Sequence, residues 1–451
     1  MKNICFISNF YFTYLWHDVS KVLQTKGFRV FWIVSNKSYH NFLIQAGVKE
    51  ENILYINRGY ISKPNQPVDD FQINELIYGD RVLRLEKVDA VNYLTNIQKP
   101  IYDFLLKNSV STVLGELTWA HELLINRITR KRTELKCRFI CPAVTRIPNK
   151  RFVFFKDDRQ SEILEIDNNE TINLESIFKV EKPAYLKNND LILNKKRSLK
   201  SRFNKALRFL TGKDFDPNDP GLIRSGWNRF KIRSSEELNK ETYRAFIRPI
   251  SLSTFNDEHP YILYTLHKQP EASIDVVGRY YEDQKQTILN FWRILPPNWK
   301  LVVKEHSNAI GDRDVKFYKE LTQFPNIILA NANLDSYELI KKSKLVVSIS
   351  GTIAYESALM GYPSIVLSPV FFRRLNYCKH ISLSEIENIT NIEDLISEIK
   401  NSEDNRLEFC KYIMKNSFNG TISDPNATPH VLEQENVNNL ANAIEIAVKS
   451  A

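Results

Sequence analysis

A short polar segment in the second half of the chain carries the first group of side chains suited to chemistry. It contains His267, Gln269 and Glu271, and it directly follows the apolar run 261–266. An imidazole can hydrogen-bond a phosphate, and a carboxylate can accept from ribose hydroxyls or from a cytosine amine. A lone histidine after a strand is more often structural, but three such groups in one loop favour a ligand. The segment predicts nucleotide binding, and His267 is also a candidate catalytic residue.

A second group, Lys304-Glu305-His306, follows the apolar run 301–303. A lysine, a carboxylate and an imidazole are costly to bury unless they are paired or face a ligand. A surface pair between Lys304 and Glu305 is the alternative interpretation. Because this is a second histidine at the end of a second strand, we interpret all three residues as nucleotide-binding, with the cations offsetting phosphate charge.

The third group is Ser350-Gly351-Thr352, with Glu356 four residues after the threonine. A buried strand that runs into small residues and then into a helix exposes free backbone N–H groups, which form an anion cradle together with the hydroxyls. Glu356 lies one turn along the same helix face, where it could reach the sugar hydroxyls of a nucleotide. A plain helix cap with an exposed glutamate is the alternative. The segment has neither the P-loop lysine nor a GxGxxG pattern, which argues against ATP and NAD.

The three groups contain no Asp-x-Asp sequence that would hold a divalent cation. The charge of a leaving phosphate would then be neutralised by histidine, lysine and helix N–H groups. We therefore expect no metal and no cofactor.

The elements that must position these groups alternate between strand and helix. Strands are predicted at 261–266, 300–304 and 345–349, and the chain opens with a strand at 2–8 followed by a helix at 18–25. Such alternation predicts an α/β fold with parallel sheets, in which ligands bind at the carboxyl ends of the strands.

The length of 451 residues predicts two domains of about 200 residues each. We assign residues 1–250 to an N-terminal Rossmann-like domain and residues 251–451 to a C-terminal Rossmann-like domain that binds the nucleotide. The parallel sheets of the two domains are expected to face a cleft.

The net charge of +9 is unevenly distributed, since residues 195–213 carry eight Lys/Arg and no acid, with apolar residues at helical spacing. This basic amphipathic segment predicts either contact with an anionic membrane face or a lipid-linked acceptor, or a solvated surface helix. No motif typical of nucleic-acid binding accompanies the charge. Five irregularly spaced cysteines indicate reduced thiols and a cytoplasmic protein, with peripheral contact at the inner face of the inner membrane left open.

The three groups, together with Gly361-Tyr362-Pro363, resemble the capsule polysaccharide synthesis family of GT-B glycosyltransferases, which includes bacterial β-Kdo transferases. The resemblance covers residues 260–370, and Ser307 departs from the proline that often follows the Glu-His pair. It implies a GT-B-like fold whose C-terminal domain holds the nucleotide, usually CMP from CMP-Kdo. It also implies an N-terminal domain that holds the acceptor.

Glycosyl transfer needs a carboxylate that acts as base or nucleophile. The candidates are Glu116, after the predicted strand 112–115, and Asp157, after the run 151–156; either could instead be a helix cap or a solvated residue. Arg146 and Arg151 are candidate substrate-binding residues that could clamp the carboxylate of an acidic sugar, or they could form a basic surface turn.

The sequence therefore predicts a glycosyltransferase of capsule or lipopolysaccharide synthesis. It would transfer Kdo from CMP-Kdo, its nucleotide-sugar donor, to a glycan or lipid-linked glycan acceptor. A transferase with the same fold that uses a UDP- or GDP-sugar, and a non-catalytic assembly or export adaptor, are the alternatives.

Overall fold

The structure, a computed structural model, describes residues 2–63, 67–166, 216–251 and 259–450. The basic segment predicted at 195–213 lies outside the described residues. Two mainly parallel β-sheets with helices packed on them make up the described part, so the predicted α/β fold with two parallel sheets is confirmed.

The first sheet has seven strands in the order β13-β6-β5-β4-β1-β2-β3. Strands β1 to β5 run parallel, whereas β6 and β13 are antiparallel additions at one edge. The central strands are apolar runs buried on both faces, as is usual for parallel sheets between helices. The strands are β1 (Asn3–Ile7), β2 (Arg29–Val34), β3 (Ile53–Tyr55), β4 (Val110–Leu114), β5 (Arg138–Val144), β6 (Arg151–Phe155) and β13 (Phe418–Asn419).

The second sheet has six strands, all parallel, in the order β12-β11-β10-β7-β8-β9. Its strands are β7 (Tyr261–Thr265), β8 (Lys300–Lys304), β9 (Ile327–Ala330), β10 (Leu345–Ser348), β11 (Ser364–Val366) and β12 (Cys378–His380). Because β7 pairs with β8 on one side and β10 on the other, the loops that leave these three strands begin side by side at one edge.

Local signals account for several helix starts. The Asp283 and Asp314 side chains accept hydrogen bonds from backbone N–H groups in the first turns of their helices. The helix that begins at Thr352 differs, because its N-cap is Gly351, which has no side chain to occupy the first N–H groups. The helices are α1 (Phe12–Thr25), α2 (Lys37–Gln45), α3 (Ile73–Gly79), α4 (Val88–Lys107), α5 (Ala120–Lys131), α6 (Gly226–Phe246), α7 (Gln284–Arg293), α8 (Val315–Thr322), α9 (Ser336–Lys342), α10 (Thr352–Leu359), α11 (Leu383–Ile386), α12 (Ile392–Glu398), α13 (Glu403–Asn416) and α14 (Gln434–Lys449).

The end of the chain returns to the first sheet. Strand β13 pairs with β6, and helix α14 packs against α1 and contributes to the apolar core on that side of the sheet. Helix α6 instead belongs with the second sheet, since Tyr243 packs its ring 4.8 Å from that of Tyr318. The segment from β13 onward therefore packs with the N-terminal half, and the division at residue 250 stays a prediction.

Polar contacts also join the two halves directly. Tyr355, which is buried, donates a hydrogen bond to the carbonyl of Ile147 at 2.8 Å. Arg279 holds Asp158 with two nitrogens at 2.9 and 3.0 Å, and this fork geometry is specific as well as strong. Within the described residues, no helix has the length and apolarity needed to cross a bilayer. The five cysteines are buried, and all have free thiols.

Candidate active site

His267 is the point where two of the predicted groups meet. Its Nε2 lies 3.1 Å from the Ser348 hydroxyl and accepts the backbone N–H of Ser350 at 3.3 Å. Gly351 is required beside it, because a Cβ there would lie 2.5 Å from the Ser348 oxygen and 3.1 Å from the His267 ring. The loop after β7 and the start of helix α10 are therefore packed into one unit.

Burial, together with the nearby His306 and Arg313, lowers the pKa of His267 to about 3. The ring is consequently neutral at physiological pH. Since Nε2 accepts the Ser350 N–H, we assign the remaining proton to Nδ1. His267 therefore positions the cradle and can donate one hydrogen bond, but it does not supply a positive charge.

Gln269 and Glu271 have different surroundings in the same loop. Gln269 donates to Asp275 at 3.0 Å and accepts from Gln284 at 3.2 Å, so both ends of its amide are engaged inside the domain. Glu271 is exposed, and its carboxylate accepts only a local hydroxyl, that of Ser273 at 2.9 Å, among the contacts described. Of the two, Glu271 is the side chain accessible to a ligand.

Glu305 is buried and fully engaged. Its carboxylate receives two contacts from Arg313 at 2.9 and 3.0 Å, the Tyr318 hydroxyl at 2.5 Å and the His306 backbone N–H at 2.7 Å. Arg313 also donates to the backbone carbonyl of His267. This geometry favours a positioning role for Glu305, which ties the loops after β7 and β8 together, over the predicted direct contact with nucleotide.

Lys304 and His306, on either side of Glu305, differ in exposure. The Lys304 ammonium is buried and donates to the carbonyl of Ala332 at 3.0 Å. His306 is exposed at the edge of the sheet, and its Nδ1 accepts the backbone N–H of Asn308 at 3.2 Å. Although desolvation by the surrounding loops lowers the pKa of His306, the neighbouring Glu271 acts to raise it. His306 and Glu271 therefore form the accessible polar edge of the site.

Glu356 and Arg146, both predicted to contact substrate, contact each other. The Arg146 Nε lies 2.8 Å from one carboxylate oxygen, which also accepts the Thr352 hydroxyl at 3.1 Å. The other oxygen accepts the Tyr337 hydroxyl at 2.7 Å. Both charges are largely buried, and a buried carboxylate is stable only with such partners. The pair joins the N-terminal half to helix α10 directly beside the cradle.

Glu116, at the carboxyl end of β4, lies in contrasting surroundings. One carboxylate oxygen accepts the Asn9 amide at 2.7 Å, while the other is buried and has no hydrogen-bond partner among the described residues. Burial and the neighbouring Glu122 raise the pKa of Glu116 well above its usual range, against the lowering effect of Arg81. Such a carboxylate is typical of a group that exchanges a proton or attacks a bound atom.

The reason for the unpaired oxygen lies in the turn itself. Glu122, in the first turn of helix α5, accepts the backbone N–H groups of Glu116, Thr118 and Trp119 at 2.8 to 3.1 Å. The donors of the turn are thus used by Glu122. Asn9 is oriented by Trp119, whose indole N–H donates to the side-chain oxygen Oδ1 of Asn9 at 3.1 Å.

Asp157 and Arg151, the other predictions in this half, are engaged in local structure. Asp157 accepts the backbone N–H groups of Arg159, Ser161 and Glu162 at 2.9 to 3.1 Å, which closes the turn after β6. Arg151 is buried and donates to the hydroxyl and backbone carbonyl of Ser417 and to the side-chain oxygen of Asn419 in β13. This geometry favours structural roles over the predicted catalytic and substrate-binding ones.

One segment, residues 79–84, connects the surroundings of Glu116 with the donor loops. At one end of the segment, Arg81 stacks over the Trp119 ring at 4.2 Å, beside Glu116. On its other side, Gly79 packs so closely on the second half that an added Cβ would lie 2.9 Å from the carbonyl oxygen of Asp275. Residues 79–84 therefore lie between Glu116 and the segment that contains Asp275, after β7.

Several residues of the site carried no recognisable sequence signal. Arg313, Tyr337 and Arg81 act through side chains brought in from loops or helices whose spacing has no motif. Asn9 could have been found, because it comes two residues after the end of β1 and so lies at the carboxyl edge of the first sheet. Across the described ranges, no group of three or more His, Cys, Asp or Glu side chains could hold a metal ion.

Comparison with protein-family models gives no match to this sequence, and comparison with curated proteins gives none either. Solved structures with some likeness include a β-Kdo 2,7 transferase, KpsC of Thermosulfurimonas dismutans. It is 11% identical, with 96% of this chain and 100% of that chain covered, at a TM-score of 0.38. The UDP-GlcNAc 2-epimerase of Neisseria meningitidis is 16% identical, with 92% of this chain and 98% of that chain covered, at a TM-score of 0.29. MurG of Acinetobacter baumannii is 11% identical, with 96% of this chain and 99% of that chain covered, at a TM-score of 0.27. Likenesses this weak carry no conclusion about substrate or mechanism.

Proposed function

We propose that this chain is a glycosyltransferase of bacterial surface polysaccharide synthesis, acting in capsule or lipopolysaccharide assembly. Its donor would be CMP-Kdo and its acceptor a glycan or lipid-linked glycan. The observation that carries the proposal is the buried, unpartnered carboxylate oxygen of Glu116, across one segment from a helix N-terminus that offers free N–H groups. Transfer of a sugar from a phosphate needs a carboxylate that reacts and a group that binds the phosphate.

The second sheet would hold the nucleotide. The first turn of helix α10, with Gly351 at its N-cap, suits a phosphate, and the Nδ1–H assigned to His267 adds a donor. Glu271 is accessible for ribose hydroxyls or a base amine. His306 would lie near the leaving phosphate, where a proton donor offsets the developing charge.

The first sheet would supply the reacting carboxylate. As a base, Glu116 takes the proton of the acceptor hydroxyl while that oxygen bonds to the anomeric carbon and CMP departs. As a nucleophile, it bonds to that carbon as CMP departs, and the acceptor oxygen then displaces the carboxylate while the acceptor proton passes to water. Either role needs the ionised form, so the raised pKa makes the rate rise with pH through a range above that of an ordinary glutamate.

An acidic donor sugar is favoured by Arg146. Its guanidinium lies beside the cradle, 2.8 Å from the Glu356 carboxylate. A carboxylate on the sugar would bind the same guanidinium alongside Glu356, since the planar fork of arginine can hold more than one acceptor. Neutral UDP- or GDP-linked sugars would not use this cation.

The proposal is tested first by thermal unfolding of the full chain with CMP, UMP and GMP, and then by CMP release from CMP-Kdo in the presence of a glycan acceptor. We expect stabilisation by CMP and release that depends on acceptor. Stabilisation by UMP or GMP alone would favour the UDP- or GDP-sugar alternative. Stabilisation by CMP without any release would favour the non-catalytic adaptor.

A pair of histidine variants sharpens the test. His306→Ala should lower CMP release by about 10²-fold without changing the melting temperature, because its side chain is exposed at the donor edge. His259→Ala is the matched control, since it is equally exposed but precedes β7 at the opposite edge of the sheet. Equal activity of the two variants would remove His306 from the phosphate site.

A further inference from the structure

Helix α6 (Gly226–Phe246) exposes two large aromatic side chains close to its start. Trp227 is 71% exposed and Phe230 is 51% exposed, and their rings stack with centroids 5.8 Å apart. None of the first ten residues of the helix is buried. A paired tryptophan and phenylalanine in water is an unusual feature of a soluble surface and marks an interaction site.

The aromatic pair faces away from the protein. Helix α6 is held through Tyr243, which is buried against Tyr318, and through Asn239, which donates to the carbonyl of Gly311. At 3.6 residues per turn, Trp227, Phe230 and Leu238 lie within an arc of about 80°, on the side opposite Tyr243. The packing of the helix therefore leaves this stripe uncovered.

The charge around the aromatic pair is positive. Residues 222–235 contain four Lys/Arg and no acid, and Arg224, Lys231 and Arg233 are exposed. The second half of the stripe differs, because Leu238 lies between Glu237 and Glu241 along the same face. An anionic partner would therefore be attracted to the first half of the helix alone.

We infer that the first half of helix α6 docks this protein onto an anionic lipid surface. Trp227 and Phe230 insert at the level of the headgroups, where rings with one apolar face are stable, and Lys231 and its basic neighbours contact lipid phosphates. A stacked aromatic pair beside basic residues matches a planar anionic interface better than an apolar protein groove, which would not need Lys231 and Arg233 next to the pair. The aromatic pair lies outside the loops that follow β7, β8 and β10.

The inference is tested by co-sedimentation of the full chain with vesicles of phosphatidylcholine alone and of phosphatidylcholine with phosphatidylglycerol. We expect binding only to the anionic vesicles, weakened by added salt. The double variant Trp227→Ser, Phe230→Ser should lower the vesicle-bound to free ratio by about 10-fold. Its melting temperature and its CMP release in solution should stay unchanged.

Leu238→Ser is the matched control, since it removes an exposed apolar side chain from the same stripe but from its acidic half. It should sediment with anionic vesicles as the unmodified chain does. Equal sedimentation of the double variant, or equal binding to both vesicle types, would overturn the inference. Loss of a chain–chain complex in the double variant, with vesicle binding unchanged, would assign the aromatic pair to a protein interface instead.

Discussion

The carboxylates at the edges of the two sheets differ in their hydrogen-bond partners. At the second sheet, Glu305 and Glu356 are buried, but each of their oxygens has hydrogen-bond or ion-pair partners. At the first sheet, Glu116 is half-buried beside a strand end, yet one of its oxygens is buried and has no hydrogen-bond partner among the described residues. The pKa of Glu116 is raised. In the function that we propose, the second edge holds its shape around the donor, whereas the first supplies the group that reacts.

This difference separates two tasks that a sugar transferase must combine. Carboxylates whose oxygens all have partners stabilise the structure, because each joins neighbouring loops or the two halves of the chain. A carboxylate with a buried oxygen that has no partner destabilises a folded protein, and such a group persists where function requires it. Changing each kind of carboxylate should therefore have a different consequence.

The largest expected effect is a loss of stability when Glu305, at the edge of the second sheet, is replaced. Glu305→Ala should lower the free energy of unfolding by about 3–5 kcal/mol, because it leaves the buried Arg313 guanidinium without its partner. Chemical denaturation of the full chain measures it. Glu338→Ala is the control, since its pair with Lys341 is exposed and should matter little. Similar losses of unfolding free energy in both variants would show that Glu305 does not stabilise the structure through its buried contacts.

The next effect distinguishes Asp157 from Glu116 within the first half. Asp157→Asn should lower the free energy of unfolding by about 1–3 kcal/mol, because its carboxylate closes a turn through several backbone N–H groups. The turnover of the folded fraction should stay near that of the unmodified chain. Normal stability with lost turnover would transfer the reactive role to Asp157.

The smallest effect is a displacement of the pH profile. Arg81 acts to lower the pKa of Glu116, so its removal should raise that pKa further. Arg81→Met should therefore move the acid limb of the rate profile to higher pH, since a higher pH is then needed to ionise the carboxylate. Arg84→Met is the control, because the charge of Arg84 acts on Asp275 instead. A limb that stays in place would mean that Glu116 does not titrate in catalysis.

Much of the second domain could be predicted because its strands are continuous apolar runs followed directly by polar groups. The parallel sheet then requires the groups that begin at His267, Lys304 and Ser350 to meet at one edge. Gly351 was also readable, as a small residue at a strand-to-helix turn. Each of these features depends on residues that are adjacent in the chain, so each can be recognised in a single sequence.

The pairings inside the site could not be predicted, because they join residues far apart in the chain. Arg146 and Glu356 are 210 positions apart, and neither has a neighbour whose spacing points to the other. The state of Glu116 depends on Glu122 taking the N–H groups of the shared turn, which follows from backbone geometry rather than from residue type. The return of the final helix to the first sheet likewise leaves no mark on the local pattern.

The most direct test of the account measures binding and turnover together in Glu116→Gln. We predict that this variant binds CMP within about threefold of the unmodified affinity, while its CMP release from CMP-Kdo falls by about 10²-fold or more. Its melting temperature should not fall, because the amide is no more costly to bury than the unpartnered carboxylate. Turnover at the unmodified rate would contradict the assignment of the reactive carboxylate to the first sheet.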